Sequence, residues 1–212
     1  MIKDNQKYFN RLHVIIDALV ITGSYMLSWY LKFEGPFADK TKGAHSMGFY
    51  FVALYFVVPV YIILYYMNKM YTPKRAQSVE TEIVNVFKAN SMGAVAFMVA
   101  LTAFKIQDFS RGLIFIFFCV NIILTLLVRC FIRYLLRAFR KKGYNLKYIL
   151  LVGYSRAAEA YIDRINTNPQ WGYVIRGILD NHVPRGTAYK GVKVIGTIDN
   201  LTGILPVSVL DE

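Results

Sequence analysis

Charge is missing from this chain over long stretches. There is no Asp, Glu, Lys or Arg between Lys42 and Lys69, between Lys88 and Lys105, or between Arg111 and Arg129. A fourth stretch, Leu12 to Leu31, contains only Asp17. Each is long enough, with its flanks, for a helix to cross roughly 30 Å of hydrocarbon. That excludes an ordinary soluble domain for the front of the chain. Cysteine is nearly absent as well. Cys119 and Cys130 lie on one apolar segment, about 16 Å apart along a helix, which is too far for a bridge within the chain. His13, His45 and His182 are scattered, and no Cys/His group has metal spacing.

What is present is apolar and basic. Of 212 residues 56% are hydrophobic, mean hydropathy is +0.37 and the formal net charge is +12. The positive charge is not a nucleic-acid signature, because it sits in the membrane half. Residues 147–212 carry seven Lys/Arg against six Asp/Glu, and residues 1–146 carry eighteen against seven. Membrane helices are expected near 12–32, 47–67, 87–105 and 112–131. The first is read as a retained signal-anchor, having no small-x-small cleavage site. Lys3, Lys7, Arg11, Lys69, Lys74, Arg75, Lys88, Arg129, Arg133, Arg137, Arg140, Lys141, Lys142 and Lys147 fall on one side of these spans. Lys32, Lys40, Lys42, Lys105 and Arg111 fall on the other. This asymmetry predicts cytoplasmic termini. Turns at Glu34-Gly35-Pro36 and Gln107-Asp108-Phe109-Ser110 then lie outside. Aromatic residues crowd the second span and its flanks, including Tyr50, Tyr55, Phe56, Tyr61, Tyr65, Tyr66 and Tyr71. They read as interfacial belt residues or as packing within the bundle.

Two polar features stand against this background. Asp17, an ionisable group at membrane depth, marks either a functional site or one half of an ion pair with Arg129 or Arg133. Arg129, Arg133 and Arg137 recur at spacing four and so share a helix face. They are candidates for contact with an anionic lipid or lipid phosphate. The alternative is a snorkelling, positive-inside flank. The remaining carboxylates, Glu80, Glu82 and Asp180, are expected to lie far apart from Asp17 and from one another and to form no pair for metal-assisted chemistry; no metal site is expected.

After Gly143-Tyr144-Asn145, a helix stop, the pattern changes to strand–helix alternation. Strands are expected at 147–152, 173–179 and 192–195, a helix at 156–166, and a fourth strand at 206–210. A short helix capped by Thr197 is placed across 199–203. This grammar predicts an incomplete Rossmann-like α/β domain with a parallel sheet. The domains are therefore 1–142, a four-helix membrane bundle with a basic flank, and 146–212, the partial Rossmann-like module. A dinucleotide loop wants glycine at three places. Here Gly153, Ser155 and Ala158 stand there, with Asp180 at the end of the second strand. Gly153, Ser155 and Asp180 are the candidate nucleotide-binding residues. A purely structural loop is the competing reading.

Several motifs carry a family resemblance. They are Tyr71-Thr72-Pro73-Lys74-Arg75 with Glu82 downstream, Tyr148-Ile149-Leu150-Leu151-Val152-Gly153, Gly172-Tyr173-Val174-Ile175-Arg176-Gly177-Ile178-Leu179-Asp180, and Lys190-Gly191-Val192-Lys193-Val194-Ile195-Gly196-Thr197. The chain resembles the N-terminal part of bacterial polyprenyl-phosphate hexose-1-phosphate transferases. These are the priming enzymes of exopolysaccharide and capsule synthesis. The resemblance implies transfer of a sugar-1-phosphate from a UDP-sugar to undecaprenyl phosphate by a further catalytic domain. That domain is expected to hold Mg2+; no catalytic residue or cofactor is expected in this chain, and Asp211-Glu212 does not match the catalytic acidic pair. The chain is thus expected to be a fragment serving as a membrane and regulatory or scaffolding region in a bacterial inner membrane. Expected partners are the bilayer, an anionic lipid or undecaprenyl phosphate, a UDP-sugar or other nucleotide, and further copies of the chain, with no nucleic acid. The same front end occurs in membrane-bound nucleotide-sugar 4,6-dehydratases, but these tend to carry Trp-Arg-Tyr after the second span, which is absent here. A non-catalytic membrane scaffold or sensor is the third reading.

Overall fold

The computed structural model describes residues 2–35, 47–72, 78–106 and 109–200. Four long helices come first: α1 (Ile2–Phe33), α2 (Met47–Met67), α3 (Val79–Ala103) and α4 (Arg111–Lys141). All four are long and apolar enough to cross a membrane, which makes this a multi-pass membrane protein. α3 starts well before its uncharged run. Ser78 caps it by accepting the Thr81 N–H at 3.3 Å, and Glu80 and Glu82 occupy its first turn. An oxygen cap and early acidic residues both satisfy the orphan N–H end of a helix. α4 runs on past the expected span to the basic cluster. It stops as the sequence predicts: Gly143 takes φ +86°, its N–H reaches the Arg140 carbonyl, and the Tyr144 N–H reaches the Phe139 carbonyl. That is the Schellman pattern. The same bond pattern closes α2 and α3, with Lys69 and Lys105 in the left-handed position.

The chain divides into two compact units, Met1–Phe131 and Ile132–Glu212, with the boundary inside α4. In the first unit the interior is built from rings. Phe117 meets Tyr25 and Tyr61 edge-on at 5.5 and 5.4 Å, and Phe109 meets Tyr50 and Phe97 at 5.0 and 5.3 Å. Gly93 of α3 lies so close to the Tyr61 ring that a methyl group there would sit 2.5 Å from it. The aromatic residues of α2 thus divide by face. Tyr50, Tyr61 and Tyr65 are buried, whereas Tyr55 and Tyr66 are 86% and 74% exposed, among outward Val52, Phe56 and Ile63. An apolar exterior of this kind suits hydrocarbon surroundings.

The second unit holds β1 (Lys147–Val152), α5 (Arg156–Thr167), a 3₁₀ turn at Pro169–Trp171, β2 (Tyr173–Leu179), β3 (Ala188–Tyr189), β4 (Val192–Gly196) and a 3₁₀ turn at Ile198–Asn200. The strand order is β1-β2-β4-β3. β1 pairs with β2 and β2 with β4 in parallel, as βαβ grammar requires. The sheet is nevertheless mixed, because β3 pairs antiparallel with β4. Lys190 and Gly191, at φ +45° and +88°, supply the two positive-φ residues that a tight two-residue hairpin turn needs. Ile162 of α5, Ile178 of β2 and Val194 of β4 form its sealed core. At the start of the last 3₁₀ turn the Ile198 N–H donates to Oδ1 of Asn181 at 2.8 Å; the helix expected across 199–203 under a Thr197 cap reaches beyond the described residues. Residues 73–77, 107–108 and 201–212 carry parts of the expected cytoplasmic loop, an outside turn and the fourth strand, and lie outside the described residues.

Candidate functional site

Two places concentrate polar groups, one in each unit. In the bundle the pattern begins with α4. Leu113, Phe117, Asn121, Thr125 and Arg129, four residues apart, are all buried. A stripe of that period faces inward, and its lower half is polar. Asn121 donates through Nδ2 to the Asn90 Oδ1 of α3 at 2.6 Å and to the Tyr65 hydroxyl of α2 at 3.2 Å. Asn90 Nδ2 donates to the same hydroxyl at 3.3 Å, and Thr125 Oγ1 lies 3.3 Å from it. One turn below, Arg129 Nη2 donates to Asp17 Oδ2 of α1 at 2.7 Å. Its Nη1 lies 3.8 Å from a Glu82 oxygen of α3 and 3.4 Å from the Met70 carbonyl. Both members of the central pair are sealed, with side chains 7% and 5% exposed. Every helix therefore contributes to one continuous polar column.

This settles the choice of partner for Asp17: it is Arg129. The structure separates Arg129, buried and committed to carboxylates, from Arg133 and Arg137 further along the same face, which are half-buried in the second unit. It also corrects the expectation that the carboxylates lie apart. Asp17 and Glu82 flank one guanidinium. The second of these contacts follows from the early start of α3, which carries Glu82 down to the level of Arg129. The polar links of Asn90, Asn121, Tyr65 and Thr125 went unsuspected, although the spacing of Asn121 and Thr125 from Arg129 along α4 was a usable signal. Among the described residues no three His, Cys, Asp or Glu side chains gather as a metal site would require.

In the second unit the carboxyl ends of β1 and β2 meet the start of α5. Gly153 takes φ +88°, a conformation that side chains disfavour, and donates its N–H to the Leu179 carbonyl at 2.8 Å. Ser155 is the N-cap of α5; its Oγ accepts the Ala158 N–H at 3.3 Å. Asp180 sits directly across. Its Oδ2 accepts the Tyr154 N–H at 2.7 Å, and its Oδ1 accepts those of His182 and Val183 at 2.7 and 2.9 Å. These three bonds hold its carboxyl below the usual carboxylate range, since each favours the charged form. The Tyr154 hydroxyl donates to Glu159 in the first turn of α5 at 2.7 Å. Gly153, Ser155 and Asp180 are thus brought together at one sheet edge.

A strand, a glycine turn, a capped helix and a parallel second strand define a Rossmann-like module behind a four-helix membrane bundle. A family model described as a CoA-binding domain matches residues 67–207, from the end of α2 onward. The chain belongs to that CoA-binding domain family, a domain found in polyprenyl-phosphate sugar transferases and nucleotide-sugar-related proteins. No curated protein matches it.

Proposed function

We propose that this chain is the membrane and scaffolding region of an undecaprenyl-phosphate sugar-1-phosphate transferase that primes exopolysaccharide or capsule synthesis from a UDP-sugar. The observation that carries this reading is the match to the CoA-binding domain family across residues 67–207, in a chain whose first helices all suit a bilayer. The clusters at hand fit a structural part. Asp17 and Glu82 spend their charge on Arg129, and Asp180 spends its charge on backbone donors, so none faces a reacting phosphate. In this reading the chain lies in a bacterial inner membrane with both termini cytoplasmic, as the basic residues direct. Arg133 and Arg137 then stand at the cytoplasmic interface, where anionic headgroups meet them.

The test is a UMP-release assay with UDP-hexose and undecaprenyl phosphate. Detergent-purified chain alone is expected to release none. Co-expressed with a priming catalytic domain stripped of its own membrane region, it is expected to raise membrane-bound turnover several-fold. No increase would overturn the scaffolding role, and turnover by the chain alone would move the chemistry into these residues.

A further inference from the structure

The family is described as CoA-binding, yet the βα loop of this module does not fit such a ligand. Coenzyme A, NAD and UDP-sugars all present a pyrophosphate. A Rossmann-like loop receives that group on backbone N–H donors between the first strand and its helix, with glycine allowing close approach. Here those donors are the N–H groups from Tyr154 to Ala158. The first is taken by Asp180 Oδ2 at 2.7 Å and the last by Ser155 Oγ at 3.3 Å. The side chain at the approach position is serine, not glycine. The Asp180 carboxylate is not swinging free at the mouth. Its other oxygen is pinned by the His182 and Val183 N–H groups, so the charge is fixed against the loop. A second carboxylate, Glu159, lies in the first turn of α5 and holds the Tyr154 hydroxyl. An incoming diphosphate meets a fixed carboxylate on the first of the donors it needs. Arg156 opens α5, and the His182 ring is almost wholly exposed, with Nδ1 4.0 Å from Asp180.

We propose that Asp180, helped by the Ser155 cap, is an internal stand-in for the ligand phosphate, so that this module rejects coenzyme A, NAD and UDP-sugars. The loop then serves to fasten the carboxyl ends of β1 and β2 to α5. Asp180 acts as the residue that decides against a pyrophosphate, in place of the ribose contact its position suggests. This inference does not depend on the chain serving a transferase.

Equilibrium dialysis of the full chain in detergent against coenzyme A, NAD and UDP-glucose tests it. The wild-type chain is expected to show no saturable binding to millimolar ligand. Asp180→Asn combined with Ser155→Gly is expected to bind at least one of the three, with a gain of tenfold or more. Wild-type binding that Asp180→Asn weakens would overturn the proposal and restore the ribose role. A folded double variant that stays flat would also overturn it. Should the double variant misfold, the wild type decides through its 15N-tyrosine spectrum. The Tyr154 amide should move upfield as the carboxyl that accepts its N–H protonates in acid. An amide indifferent to acid would refute the Asp180 contact.

Discussion

Asp17 and Asp180 are both nearly sealed from solvent, at 4% and 9% exposure, and the two units of the molecule answer them in opposite ways. Inside the bundle every backbone N–H near Asp17 is already spent on a helical ladder, as hydrocarbon surroundings demand. The carboxylate can be satisfied only by another side chain, and its partner Arg129 lies 112 residues away. At the carboxyl ends of β1 and β2 the loops leave backbone donors outside any ladder. Asp180 takes three of them and needs no cation. A buried carboxylate thus fastens helices to one another in the first unit and fastens loops in the second.

The comparison predicts unequal costs. Arg129→Ala leaves Asp17 buried without its cation, and breaking such a pair costs about 3–5 kcal/mol. Thermal unfolding in detergent should show that as the largest loss in this set. Removing both charges with Asp17→Leu and Arg129→Met should cost much less, because the sealed pair goes together and Glu82, 3.8 Å from the guanidinium, is less buried. Exchanging them, Asp17→Arg with Arg129→Asp, should recover part of the loss of Asp17→Arg alone. Equal losses for the single and double variants would mean that the pair is not what holds α1 to α4.

Two turns higher on α4, Asn121→Ala removes the donor shared by Asn90 Oδ1 and Tyr65. Leaving buried polar atoms unanswered costs about 1–3 kcal/mol. Gly93→Val should fall in a similar range, about 1–3 kcal/mol, through overpacking against the Tyr61 ring. If Asn121→Ala melts like the wild type, the polar column ends at Arg129 and the upper bundle is held by its rings alone.

These residues also show what was legible beforehand. Asp17 and Arg129 announced themselves because a lone charge in an apolar span has few escapes. Glu82 did not, since a charge-free window draws the start of α3 too late and overlooks Ser78 as a cap. Asn90, Asn121 and Thr125 are small polar residues in apolar runs, and composition alone does not separate a back-bonded one, such as Ser28 to the Ser24 carbonyl, from one that links helices. Among the strands, β1, β2 and β4 followed from β-branched runs between turn residues. β3 is two residues long, below any periodicity signal. Asp180 was visible as an acidic strand end, but its partners are backbone N–H groups, and those leave no trace in residue type.

The smallest expected effect follows from that last contact. The Tyr154, His182 and Val183 N–H groups depress the Asp180 pKa in the folded chain. A carboxylate whose folded pKa lies below its unfolded value, about 3.9 for Asp, contributes stability that is present above the unfolded pKa. That contribution fades as pH falls through the folded one. The second unit should therefore hold its local stability at neutral pH and loosen at the β1–α5 loop only in acid, below about pH 4. Amide hydrogen exchange of Tyr154, His182 and Val183, corrected for the intrinsic pH dependence of exchange, should reveal this opening, with Asp180→Asn already open at neutral pH. Asp163, bound to Lys190 at 2.7 Å, has its own depressed pKa, so its loss near β3 must be tracked separately. Loop protection that persists unchanged well below about pH 4 would mean that the Asp180 carboxylate does not hold the loop.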